Sequence, residues 1–290
     1  MNDIENNFSR FLELPYSSRQ LIVVTDDVIV KAAEQEERRA VQLRENGLDW
    51  KKITESIVFD VLPVSLGRTI AEVTREAIKA WGRARDDGLL VLPVGNTIAK
   101  LLSFPPGHPR DGVLYIGHPA LPKVYYTLAD FHRVTFEHKF CEATDLLMSL
   151  GATSIRVEHV SGWSRDFSSR ISVPLGEAES KVGAEAASSS KSGSQLLFEA
   201  RLSGAVTPSI PKDLVWYEHE PTWQSIAKGR KSYGLQDFSL SVSYEDDFGV
   251  NAGLKAAISK TGLEIGGKFE DHKSTIWRLE GKFKDIADGT

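Results

Sequence analysis

A single cysteine, Cys141, occurs in 290 residues. It cannot close an intramolecular disulfide, so the chain is expected to work in a reducing, cytoplasmic setting. Long apolar runs are also missing. The longest stretch, Leu89 to Val94, falls far short of the roughly 18 to 20 residues that a membrane helix needs. The first residues, Met1-Asn2-Asp3-Ile4-Glu5-Asn6-Asn7, are polar and acidic where a secretory leader would be basic and then apolar, so no export signal is expected. There is no excess of positive charge either. Thirty-five Lys and Arg against 40 Asp and Glu leave a net charge of -5, which argues against a phosphate backbone as partner. Catalytic and cofactor signatures are equally scarce. No P-loop, no Gly-x-Gly-x-x-Gly after a strand, no Gly-x-Ser-x-Gly elbow, no His-Glu-x-x-His and no Cys-x-x-Cys occurs, so no cofactor and no metal are expected.

What is present is ordinary globular material, 41% hydrophobic and 26% charged. Chains of this length bury roughly 75% of their unfolded surface and need no staples. Two textures alternate along the chain. Residues 26 to 46 read as a charged helix stopped by Asn46-Gly47. Trp50, Ile53, Ile57 and Val61, then Leu66, Ile70, Val73, Ala77 and Trp81, recur at helical spacing. From 89 to 126 prolines punctuate short apolar runs at Leu89 to Val94 and Val113 to Ile116, so strands there are short or lie at a sheet edge. Thr127-x-x-Asp130 then reads as a capping box. It opens a helix that Gly151 stops and whose buried stripe is His132, Phe136, Phe140, Ala143, Leu147 and Leu150.

Beyond Gly151 the period becomes two. Strands are predicted near 155–163, 167–175, 196–202, 238–244 and 277–283, with 263–269 and 275 onward forming a further hairpin. A helix is expected from Pro221 to Gly234, and another within 250–261. Residues 176–194, rich in Ser, Ala and Gly, read as a mobile loop. The expected fold is α+β: an N-terminal helical layer packed with a mostly antiparallel, twisted sheet of about five to seven strands. The ranges are 1–88 helical, 89–126 a Pro-rich connection and 127–290 the sheet region, with 1–126 and 127–290 integrated into one domain as the other option.

Histidines gather between 108 and 138. His108 and His118 sit in a repeated Gly-His-Pro tripeptide, and His132 and His138 lie on the following helix near Glu137, Glu142 and Cys141. A proline after each histidine fixes the backbone and aims the imidazole, as acid–base work requires. This makes His118, His108, Glu137 and His138 the candidate catalytic residues. Metal binding by the helix pair fails on geometry, because six residues place His132 and His138 about 120° apart around the axis. Glu142, His138 and Asp145 read as a surface charge cluster, and Cys141 as a buried, inert thiol. Trp216, Tyr217, Trp223 and Tyr233 form an aromatic group around Pro221.

The leading expectation is a non-catalytic protein that binds another protein or assembles with itself. One alternative is a hydrolase built on the histidines of 108–138. Another is a stress or antiviral effector whose strands flanking 176–194 refold into a membrane pore, touching membrane only after that change. For nucleic acid the single foothold is the local basic patch Lys228, Arg230 and Lys231. Arg38-Arg39 lies among glutamates and reads as a solvated helix face.

Overall fold

Leu21-Ile22-Val23-Val24-Thr25 is a mainly β-branched run with no polar position until its end, the signature of a strand covered on both faces. The structure, a computed structural model, describes residues 2–31, 89–163 and 195–285. In it α1 (Asn2–Glu13) and α2 (Tyr16–Arg19) lead into this run as β1 (Leu21–Thr25), every residue of which is buried. β1 pairs in parallel with β2 (Val91–Gly95) and antiparallel with β3 (Leu114–Gly117), which pairs with β4 (Tyr125–Thr127), giving the order β2-β1-β3-β4. Pro93 lies in the edge strand β2, where its missing donor costs no ladder bond.

The chain falls into two compact units, one of residues 1–131 with 248–271 and one of residues 132–247 with 272–290. The first is three layers deep. Ile22 and Val24 pack with Phe11 of α1 and Ala99 of α3 (Asn96–Ala99) on one face of the sheet. Leu21 and Val23 pack with Leu128, Phe131, Val250, Ile258 and Leu263 on the other. That second cover comes from far along the chain. Leu114 N donates to Glu264 O (2.8 Å), Glu264 N to Gly112 O (3.0 Å) and Ala129 N to Ile265 O (3.0 Å), tying 248–271 to the sheet.

The second unit is one long helix against one antiparallel sheet. α4 (Phe131–Ser149) is stopped as expected at Gly151, whose φ of 94° suits glycine. Its stripe of His132, Phe136, Phe140, Ala143, Leu147 and Leu150 is fully buried. The sheet order is β6-β5-β8-β7, from β5 (Ala152–Ser161), β6 (Gln195–Arg201), β7 (Asp237–Tyr244) and β8 (Thr275–Phe283). Phe136 and Phe140 meet Trp277 edge-on with centroids 4.9 and 5.1 Å apart, and Phe140 meets Phe198 at 6.1 Å. The outer face is polar, with opposite charges facing each other across the strands: Arg156 opposite Glu199 and Glu280, and Glu158 opposite Arg278. α5 (Pro221–Tyr233) ends at Gly234 with φ 65°, and α6 (Ala252–Ser259) is capped by Asn251, whose side chain accepts from Gly253 N and Leu254 N.

Close packing of β8 on its neighbours gives a sharp test. Gly281 lies between Ile155 and Phe238 in register. A Cβ there would collide with the Ser154 carbonyl oxygen and the Phe238 ring. Gly281→Ala is therefore expected to destabilise the protein by about 3 kcal/mol, the upper end of overpacking costs, read as a lowered urea midpoint.

The α+β expectation holds, but with four particulars changed. Among the described residues there is not one sheet but two of four strands each, because the stretch 1–88 read as helical supplies β1 and residues 89–127 have enough buried apolar positions to build β2, β3 and β4 despite their prolines. Residues 263–269 form no hairpin with β8; within the first unit Glu264 makes an isolated bridge with Val113, just before β3. Thr127 is the last residue of β4, and its hydroxyl donates to the Asp130 carboxylate (3.1 Å) just before α4 begins, so no capping box spans a first turn. Arg230 is buried, which removes it from any surface patch with the exposed Lys228 and Lys231. A helix does start at residue 27, and helices do occupy 221–233 and 252–259. The helices expected over 50–81, the strand at 167–175 and the loop at 176–194 lie outside the described residues. Among the described residues no helix is long and apolar enough to cross a membrane.

Candidate functional site

The Gly-His-Pro repeats lie in the first unit, and each histidine is engaged with its own surroundings. His118 follows β3 and is fully buried. Its Nδ1 accepts from Ala120 N (3.0 Å) and Leu121 N (2.9 Å), so the ring caps the turn that Pro119 begins, and its proton resides on Nε2. His108 lies in the loop before β3, with its Nδ1 2.7 Å from the Tyr115 hydroxyl; that hydroxyl accepts from Arg110 N at 2.7 Å. Burial lowers the pKa of His108, with Arg110 adding to the effect and Asp130 opposing it. Burial raises that of Tyr115, while the Arg110 amide opposes. Both groups are therefore neutral at pH 7, an imidazole and a phenol holding a loop together.

Glu137 and His138 lie in the second unit. Glu137 faces Arg133 one turn back, Nη1 to Oε1 at 3.0 Å, an ordinary i,i+4 pair. His138 belongs to a polar cluster that α4 builds with residues 213–220. Glu142, one turn on, accepts from Val215 N (2.9 Å) and Trp216 N (2.8 Å), one bond on each carboxylate oxygen. The Trp216 indole N–H donates to His138 Nδ1 at 3.0 Å, and His138 Nε2 lies 3.4 Å from Glu142 Oε1. Lys139 pairs with Glu220, donates to Ser243 O (2.8 Å) and sits over the Trp216 ring, 5.3 Å from its centroid. Helix and loop are thus joined by a charged residue, an imidazole and an indole whose polar atoms all point at each other.

The electrostatics follow from that enclosure. Burial raises the Glu142 carboxyl above its ordinary range; the two amides oppose the rise, and Asp213 and Asp145 add to it. Burial lowers His138. Asp145 is raised by burial and by Asp213. The Cys141 thiol is pushed up to about 11 by burial, with Asp145 and Glu137 adding to it, so it carries no thiolate at neutral pH.

No protein-family model, curated protein or solved structure matches the chain. His108 and His118 fall in one unit and Glu137 and His138 in the other. Among the described residues no cluster of three or more His, Cys, Asp or Glu is placed to hold a metal. His132 keeps the core role of its stripe, with Nδ1 2.9 Å from the Tyr244 hydroxyl and its ring edge-on to His272 at 5.2 Å.

One polar junction was missed in the sequence. Asp27, just beyond β1, takes the Thr97 hydroxyl (2.7 Å) and the Thr97 amide (3.3 Å) from just beyond β2. Gly95 lets that carboxylate approach, since a Cβ there would overlap Asp27 Oδ1. The signal was the pair of Asp26-Asp27 and Gly95-Asn96-Thr97 following two parallel apolar runs, where ends of parallel strands collect polar groups. Its hydrogen bonds are closed upon themselves, and it fastens the two strand ends together.

Proposed function

We propose that the protein works by holding other protein surfaces, including copies of itself, and not by turnover. The observation that carries this reading is where the reactive atoms go. His118 Nδ1 takes two backbone amides, both Glu142 oxygens take one each, His138 Nδ1 takes an indole and His108 Nδ1 meets a phenol. A general base must present its lone pair to a substrate proton; here His118 Nδ1, His138 Nδ1 and both Glu142 oxygens hold the chain's own structure. The polar clusters act as clamps, each within its own unit, which suits a surface meant to be recognised.

The test combines metal analysis with turnover. Purified protein is expected to carry no stoichiometric transition metal and to hydrolyse ester, phosphodiester and peptide reporters no faster than His118→Ala and His138→Gln. Stoichiometric metal, or a turnover that either substitution abolishes in a folded variant, overturns the reading in favour of the hydrolase.

A further inference from the structure

A sheet edge is a row of unpaired amides and carbonyls, and proteins ordinarily blunt such rows with proline, bulges, short strands or lysine. Among the described strands, three of the four sheet edges are blunted. β2 carries Pro93, β4 is three residues long, and β6 meets β5 through a register break between Val157 and Glu158. β7 is different. It runs from Asp237 to Tyr244 without proline, lysine or arginine, and its register with β8 is unbroken along that length. It ends the sheet order, so no described strand pairs with its outer side.

We propose that β7 is the self-association edge of the protein: two copies pair β7 to β7, antiparallel about a two-fold axis through Leu240, and fuse their sheets. This rests on the reading of the chain as an interaction protein and names its surface and partner. The direction of the backbone groups follows from the ladder. Phe283 N donates to Gln236 O at 2.7 Å, so residues 236, 238, 240, 242 and 244 bond to β8, and those of 237, 239, 241 and 243 face outward. An antiparallel partner must then bring odd residues opposite odd ones. With Leu240 on the axis, Ser239 lies opposite Ser241 and Asp237 opposite Ser243. On the core side Leu240 stands in register with its own copy and Phe238 with Val242, while these side chains stay buried in their own protomers.

From Asp237 to Ser243 every pair in that register is like with like in polarity, and along the whole strand no like charges face each other. Moving the axis to Ser241 would set Asp237 opposite Glu245, two carboxylates in register, which disfavours that alternative. The outward side chains Ser239 and Ser241 are exposed and small, so they form no pocket to read the side chains of an extended peptide, as strand-addition sites for peptides do. That favours a second copy as the occupant. Lys139 occupies one lone pair of the Ser243 carbonyl, and the second stays available to an incoming amide. An isologous pairing closes at two copies, which keeps an open edge from growing into a fibre.

The experiment uses the full chain in light scattering after size exclusion, at tens of micromolar. Wild type is expected at twice the chain mass. S239K/S241K and S239E/S241E each place two like-charged pairs across the axis and are expected at the chain mass, with unchanged circular dichroism. Mixed in equal amounts, the two variants are expected to return to twice the chain mass, because the register sets each lysine opposite a glutamate. A monomeric wild type, a wild type that binds an extended peptide at this edge instead, or a dimer that both variants leave intact overturns the proposal. So does a mixture that stays monomeric. The wider reading fails separately, on metal or turnover, whatever the mass.

Discussion

Replacing Arg230 with methionine is expected to cost about 4 kcal/mol, within the range for breaking a buried charged network. The guanidinium is almost wholly buried on α5. It donates to three carbonyls: Nε to Leu150 O (3.1 Å) at the end of α4, Nη1 to Leu235 O (3.0 Å) just past α5, and Nη2 to Lys284 O just past β8. Its plane sits over Phe283, 5.0 Å from the ring centroid. Burial lowers its pKa and Asp285 opposes, yet a guanidinium stays charged throughout the ordinary pH range. Carbonyls at helix ends have no intrahelical donor, so one side chain closes two helix ends and a strand end together.

Methionine fills similar space and supplies no donor, leaving buried acceptors that cost about 1 to 3 kcal/mol each. Arg230→Lys keeps the charge but replaces a planar fork with a point, and is expected to lose about half as much. Urea unfolding with matched m values would measure both. A methionine variant within 1 kcal/mol of wild type would show that the carbonyls find water, and that the fork is not what joins these three ends.

Arg230 also shows where sequence reading succeeds and where it stops. Its helix was legible from Pro221, Trp223, Ala227 and Gly234, because caps and period are local. The stripe on α4 and the alternation of β7 and β8 were legible for the same reason. What was not legible is where polar atoms point, since Lys228 and Lys231 in the same run are exposed while Arg230 is enclosed. The same applies to α4. Its polar flank was read as a wet cluster of His138, Glu142 and Asp145, but the backbone of Val215 and Trp216, more than seventy residues away, buries Glu142. Residues 263–269 mislead in the opposite way. Their Gly266-Gly267 turn and the strand beginning at Thr275 look like one hairpin locally, and only the pairing of Glu264 with Val113 assigns them to another sheet. Long-range pairing is the quantity that local periodicity does not carry.

Removal of the Glu142 carboxylate should release the loop at 213–216, and the pH dependence of that loss separates an electrostatic clamp from simple packing. Glu142→Ala strands two buried amides and is expected to cost about 3 kcal/mol at neutral pH, each orphaned donor contributing about 1 to 3. Glu142→Gln keeps one acceptor but turns an amide N–H₂ toward a backbone N–H, so it should recover only part of the loss. The pH course has two limbs of opposite sign. The folded pKa of Glu142 is raised, so the folded chain holds that proton more tightly than the unfolded chain does. Its contribution is complete below the ordinary value of 4.5 and is lost as pH rises through the folded value. His138 is lowered, so its contribution is complete above 6.5 and is lost as pH falls through its folded value.

Chemistry explains the second limb. A proton on Nδ1 removes the acceptor for the Trp216 indole and sets donor against donor. His138→Gln, which can accept from the indole and donate to Glu142 without titrating, is therefore expected to differ most from wild type at pH 7.5 and least near pH 5. For Glu142→Gln the gap to wild type should instead be widest near pH 4 and narrow toward pH 8, because only wild type bears the cost of ionising a buried carboxyl. Urea midpoints at those pH values, read by circular dichroism, would measure both gaps. Gaps that stay constant with pH would mean that neither proton is linked to folding, and that loop and helix are held by packing around Trp216 alone.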